Sequence, residues 1–141
     1  MLKAMLTLVA VSAWGTTAVA GEQLQGVAFA QAPEAGLGVC FGADAAETMQ
    51  CAQDACVAES GLKAADCVVS DWCYPARWSG DVFVQHVEGV HWHDFACGWE
   101  TRAQLETASM LGCAADYIAG CDMVRIWDPE GTQILGEVDG Q

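Results

Sequence analysis

The stretch CFGADAAETMQCAQDAC, residues 40–56, is matched in length and pattern by CGWETRAQLETASMLGC, residues 97–113. Each copy begins and ends with cysteine. Each also has a capping residue followed three positions later by Glu or Gln: Asp44 with Glu47, and Thr101 with Gln104. That pattern predicts the first turn of a helix, because the two side chains accept hydrogen bonds from each other's backbone N–H groups. The chain is therefore predicted to contain two copies of one supersecondary unit.

Short apolar runs bounded by turn residues predict strands on either side of the two helices. The predicted strands cover residues 27–30, 37–41, 67–72, 82–86, 90–97, 122–127 and 134–135, and the predicted helices cover 45–60 and 102–116. Each unit, about 26–73 and about 82–127, thus has the order β-β-α-β, and residues 74–80 link the units. We expect the units to share one antiparallel sheet with both helices on one face, which is an α+β fold.

Residues 1–20 have the features of a signal peptide. Lys3 supplies a positive start, residues 5–13 form a short apolar core, and Ala18-Val19-Ala20 is an A-x-A cleavage motif. The apolar core is too short to span a membrane, although a retained signal anchor is the alternative interpretation. We therefore expect a periplasmic or secreted protein without membrane insertion after cleavage, in which residues 21–141 form a single domain with a short C-terminal tail.

All eight cysteines follow the predicted cleavage site. An even number in a short exported chain is typical of a disulfide framework, and the lack of any C-x-x-C pair weighs against a structural zinc site. The turn after each helix brings two cysteines together, which predicts the bridges Cys56–Cys67 and Cys113–Cys121. The other four cysteines allow three pairings, of which we favour Cys51–Cys73 and Cys40–Cys97.

Acidic residues dominate the charge of the chain. Asp and Glu number nineteen against five Lys and Arg, and the formal net charge is −14. Such a surface repels nucleic acid and anionic lipid, and it attracts basic proteins or cations. The alternative interpretation is that the acidity only keeps an exported protein soluble.

The three histidines lie around a predicted hairpin turn. A two-residue turn at Glu88-Gly89 would place His86 opposite His91, and His93 would follow on the same face of the ribbon. Three imidazoles in that arrangement could hold Zn²⁺ or Cu²⁺. A three-residue turn would shift the register and separate His86 from the other two, and the histidines would then be ordinary strand residues.

No motif of a known catalytic site occurs in the sequence. Trp78 in the linker and Trp92 on the hairpin are candidates for an exposed recognition surface, with core packing as the alternative. We therefore predict an exported, acidic, disulfide-stabilised binding module without catalysis, which neutralises a basic protein partner. The alternatives are a periplasmic protein that binds a divalent metal through the histidine hairpin and a cell-wall hydrolase.

Four segments of the chain carry a likeness to a known family: Val27-Ala28-Phe29-Ala30, Ala45-Ala46 through Cys56, Cys67-Val68-Val69, and Thr101-Arg102-Ala103 through Cys113 with Cys121. Over residues 26–127 the sequence resembles the bacterial exported domain-of-unknown-function family 4189. The resemblance implies a periplasmic or secreted bacterial protein. It implies no activity, since the family has no established chemistry, and neither Cys51 nor the histidines belong to its pattern.

Overall fold

A computed structural model describes residues 24–135, so the expected signal peptide and the last residues of the expected tail lie outside the described part of the chain. The described residues form seven strands and two α-helices. In chain order the elements are β1 (Gly26–Ala32), β2 (Gly36–Gly42), α1 (Ala45–Ser60), β3 (Val68–Cys73), β4 (Trp78–His86), β5 (His91–Trp99), α2 (Arg102–Ser109), β6 (Ile118–Trp127) and β7 (Gln133–Leu135). The fold class is α+β, as predicted.

The strands form two antiparallel sheets rather than the single sheet that we expected. The first sheet has the strand order β2-β1-β3, and the second has the order β5-β4-β6-β7. Strand β1 lies between β2 and β3 in the first sheet, and β4 lies between β5 and β6 in the second. The first strand of each β-β-α-β segment is thus flanked by the other two strands of that segment. The two halves of the described chain therefore have the same strand order, and β7 adds an edge strand to the second half.

Strand β1 explains why the predicted single sheet does not form. One of its faces, with Ala28 and Ala30, packs against α1. Its other face carries Val27 and Phe29, and the Phe29 ring stacks on Phe95 of β5 with the ring centroids 4.5 Å apart. Because both faces of β1 are apolar, both must be covered, and the second sheet covers the face that α1 leaves open. The helices therefore lie on the outer faces of two stacked sheets, not together on one face.

The helix starts follow the predicted capping residues. Asp44 accepts a hydrogen bond from the backbone N–H of Glu47, and α1 ends before Gly61, whose φ of 69° suits only a residue that tolerates the left-handed region. Thr101 begins α2 through a complete capping box. That helix is shorter than predicted, because the chain continues from Met110 as a 3₁₀ helix that contains Gly112, a poor helix former.

Strand β4 also differs from its predicted limits. It begins at Trp78, so residues 78–80, which we expected in the linker, belong to the sheet. Ser79 is completely buried, and Gly80 lies against Leu105 of α2. The extra strand residues thus provide part of the surface on which α2 packs.

All eight cysteines form disulfides, and two of the four bridges match the prediction. Cys56 is bonded to Cys67 and Cys113 to Cys121, as expected from the turns after the helices. The favoured pairing of the other four cysteines is wrong. The observed bridges are Cys40–Cys51 and Cys73–Cys97.

The position of the two sheets is the reason for this difference. Helix α1 lies directly over β2, which brings Cys51 to Cys40. Cys73 ends β3 beside the apolar region between the sheets, where it meets Cys97 of β5. The Cys73–Cys97 bridge therefore joins one sheet to the other, a contact that has no counterpart in a single-sheet arrangement.

Gly38 is required for the close packing of α1 on β2. A Cβ atom at this position would overlap the carbonyl oxygen of Ala52 and would lie 2.6 Å from the backbone nitrogen of Cys56. Gly38→Ala is expected to lower the free energy of unfolding by about 1–3 kcal/mol, because backbone atoms of a bridged helix cannot move aside easily. Urea denaturation measures this loss.

Gly112→Ala is the matched control for that substitution. A Cβ at Gly112 would meet no atom within 4 Å, and the backbone there needs no positive φ. We expect its free energy of unfolding to remain within about 0.5 kcal/mol of the wild type. Equal losses for the two variants would contradict the close contact of α1 with β2.

Candidate functional site

A polar cleft opens between the two sheets, next to their shared apolar region. It has a volume of about 200 Å³, and we call it the inter-sheet cleft. Its charged and titratable lining residues are Glu34, Glu59, His91, His93 and Arg125. Glu34 follows β1 and Glu59 lies near the end of α1, whereas the histidines come from β5 and the arginine from β6. The cleft therefore exists only because the two sheets are stacked.

A buried carboxylate supports the inner side of the cleft. Asp81 lies in the central strand β4 and is fully buried. Its Oδ1 is 2.7 Å from Nδ1 of His93, and its Oδ2 is 3.0 Å from Nε of Arg125. The contact with Arg125 is an ion pair between opposite charges. A buried charge needs such partners, so Asp81 holds both side chains in place.

Hydrogen bonds to backbone groups involve Glu34 and Glu59 of the cleft and Gln31 beside it. Gln31 of β1 donates a hydrogen bond to the carbonyl oxygen of His93 and accepts one from its N–H, at 2.7 and 3.1 Å. Glu34 Oε1 accepts from the N–H of His91 at 3.2 Å, and Glu59 Oε2 accepts from the N–H of Leu37 at 3.2 Å. The bonds of Gln31 and Glu34 link the first sheet to the second, whereas the bond of Glu59 joins α1 to β2.

Several polar atoms of the cleft make no hydrogen bond to any residue in the described range 24–135. They are both Nη atoms of Arg125, Nε2 of His91 and of His93, Oε2 of Glu34 and Oε1 of Glu59. The cleft thus presents a cationic donor, two anionic acceptors and two imidazole nitrogens to a ligand. The Asp81–His93 pair has the geometry of a base and its orienting carboxylate. No serine, threonine or cysteine of the described residues bonds to His93.

The predicted arrangement of the three histidines is wrong. The hairpin has the three-residue loop Val87-Glu88-Gly89, closed by a hydrogen bond from the N–H of His86 to the carbonyl of Val90. His91 consequently pairs with Gln85 instead of His86. His86 stacks on Tyr117 outside the cleft, with the ring centroids 5.7 Å apart. Within residues 24–135 no group of three or more His, Cys, Asp or Glu side chains is arranged to hold a metal ion.

The two predicted recognition tryptophans lie elsewhere in the second sheet. Trp78 and Trp92 are half-buried, and neither lines the inter-sheet cleft. Trp78 pairs with Trp99 across β4 and β5. The indole N–H of Trp92 donates to Asp94 at 3.0 Å. A role of these tryptophans in binding a partner stays a prediction.

Of the residues that form the cleft, sequence reasoning singled out His91 and His93, as metal ligands, and missed the carboxylates and the arginine. A signal for two of them was present, because Asp81 precedes the apolar run Val82-Phe83-Val84, and Arg125 is a lone cation within the apolar end of β6. A charged residue inside a buried strand is rare unless it has a partner. Glu34 and Glu59 carried no such signal, since surface turns and helix ends commonly carry glutamate.

The fold and the cleft define an α+β protein of two antiparallel sheets that is held together by four disulfides. Comparison with protein-family models finds no match, and comparisons with curated proteins and with solved structures find none either. The resemblance to family 4189 therefore stays a prediction. The four bridges are compatible with an exported protein. None of the helices in residues 24–135 has the length and hydrophobicity needed to cross a membrane.

Proposed function

We propose that this protein is an exported, acidic binding module without catalysis, periplasmic or secreted, and that it neutralises a basic protein partner. The observation that carries the proposal is the excess of carboxylates without a cationic neighbour. Nineteen Asp and Glu face five Lys and Arg in the chain. Arg77, Arg102 and Arg125 already contact Glu100, Glu106 and Asp81. Most of the acidic side chains within residues 24–135 therefore have no Arg or Lys contact and are available to a partner of opposite charge.

The outer side of α1 is the best candidate for the contact surface. Glu47 and Asp54 lie two turns apart on this helix, both are exposed, and α1 contains no Lys or Arg. We call this pair the α1 acidic face. The opposite side of the helix packs on the first sheet through Ala52 and Cys56. The bridges of Cys51 and Cys56 hold the helix, so the face does not have to become ordered on binding.

Such a surface attracts a basic protein mainly through long-range electrostatics. Complementary charge raises the association rate and makes binding sensitive to salt. The test is a pull-down from periplasmic or culture extract with the mature protein, washed at low and at high salt. We expect a basic protein to be retained at low salt and released at high salt. Recovery of no partner, or of a partner that is indifferent to salt, would contradict the proposal.

The α1 acidic face can be tested on the purified partner. Glu47→Gln combined with Asp54→Asn is expected to weaken binding about three- to tenfold at low salt, because each exposed charge contributes a fraction of a kcal/mol. The matched control is Asp116→Asn combined with Glu130→Gln, which removes the same charge at two exposed positions outside α1. Equal losses for both double variants would mean that the partner responds to net charge and not to this face.

A further inference from the structure

The inter-sheet cleft brings a guanidinium and two carboxylates together around one small volume. We propose that it binds a small zwitterion, a free α-amino acid, with the ligand carboxylate on Arg125 and the ligand ammonium group on Glu34 and Glu59. This site is separate from the α1 acidic face and does not depend on the basic partner proposed above.

Arg125 is prepared for an anionic group. Its Nε faces the buried Asp81, whereas its two Nη atoms have no partner among residues 24–135, and its side chain is 27 % exposed. A guanidinium binds a carboxylate best through two parallel N–H groups, and the side bearing Nη atoms remains open for this purpose. Because Asp81 is fully buried, this ion pair anchors the inner edge of the Arg125 guanidinium.

The two glutamates decide which anion fits. Each uses one oxygen to accept a backbone N–H and keeps the other oxygen free, so two negative groups flank the cleft. Together with Asp81 they outweigh the single charge of Arg125. A phosphate or another dianion would be repelled, whereas a carboxylate that carries its own ammonium group would satisfy both signs at once.

The size of the cleft suits a small ligand. A volume of about 200 Å³ is below the usual range for drug-sized ligands, which is about 300–1,000 Å³. A small amino acid is within this size, and Leu37, Glu59 and Arg125 also line a neighbouring groove of about 420 Å³. Ala32, Gly36 and Leu37 complete the wall with small or apolar surface beside the charged groups.

Calorimetric titration of the mature, disulfide-bonded protein tests the ligand chemistry. Glycine, alanine and serine are the probes, and N-acetylalanine, alanine amide and inorganic phosphate are the matched comparisons. We expect alanine to bind and both derivatives to bind at least about tenfold more weakly, since each lacks one charge-assisted contact. No binding of any of the three amino acids, equal binding of N-acetylalanine, or tighter binding of phosphate would overturn the proposal.

Two variants test the ammonium contacts without touching the buried ion pair. Glu34→Gln and Glu59→Gln are each expected to weaken alanine binding about tenfold or more, because each loses the carboxylate and keeps an amide oxygen for the backbone N–H. Glu88→Gln is the control, as this glutamate is 82 % exposed at the hairpin tip. Unchanged circular dichroism shows that the variants fold. Affinities equal to that of the Glu88→Gln protein would overturn the proposed contacts.

Discussion

Replacement of Arg125 by methionine is expected to lower the free energy of unfolding by about 3–5 kcal/mol, the usual loss when one partner of a buried ion pair is removed. The substitution leaves Asp81 fully buried with only His93 beside it. Methionine keeps most of the apolar stem of arginine, so the loss reports on the charge more than on packing. Urea denaturation monitored by tryptophan fluorescence measures the change.

Two further variants test whether the buried charge of Asp81 causes this loss of stability. Arg102→Met breaks the exposed pair with Glu106 on α2, and we expect it to change the free energy of unfolding by only about 0.3–0.5 kcal/mol. Asp81→Asn combined with Arg125→Met should be more stable than Arg125→Met alone, because no uncompensated charge stays buried. If the double variant were less stable than Arg125→Met alone, the buried carboxylate would not be the cause of the loss.

Removal of the Cys73–Cys97 bridge is expected to destabilise the protein by about 3.5 kcal/mol. The bridge spans a sequence separation of 24 residues, and the chain-entropy relation gives this loss for a loop of that length. The double substitution Cys73→Ala with Cys97→Ala removes the covalent link between the two sheets and keeps the other three bridges. Denaturation without reducing agent measures the change.

The matched control is the double substitution Cys113→Ala with Cys121→Ala. This bridge closes a shorter loop, with a separation of 8 residues, and its loss is expected to be about 2.5 kcal/mol. Thiol labelling adds an independent check, because neither variant should contain a free thiol. If Cys40 and Cys51 reacted with the label in the protein lacking Cys73 and Cys97, the observed pairing would be wrong.

The local structure of this protein could be predicted well because its determinants lie close together in the chain. Asp44 and Thr101 begin helices by hydrogen bonds that reach three residues ahead, and Gly61 ends one through its own backbone angle. The bridges Cys56–Cys67 and Cys113–Cys121 follow from the same proximity, since they close short loops with sequence separations of 11 and 8 residues. The alternation of residue types within β1 also indicates that both faces of this strand are covered. Its alanines and its Val27 and Phe29 mark two buried faces, which a single sheet with helices on one side cannot provide.

The sequence by itself determined the starts of both helices, most of each strand, the strand-turn-helix order and the two short-range bridges. Only the tertiary structure decided that there are two sheets, which cysteines link them, and which charged residues meet. Asp81 and Arg125 are neighbours because β4 and β6 pair in one particular register, and Glu34 joins them because the first sheet stacks on the second. Such contacts depend on the relative position of whole sheets. That position is set by the burial of Phe29 against Phe95 and Trp127, and no local sequence pattern specifies it.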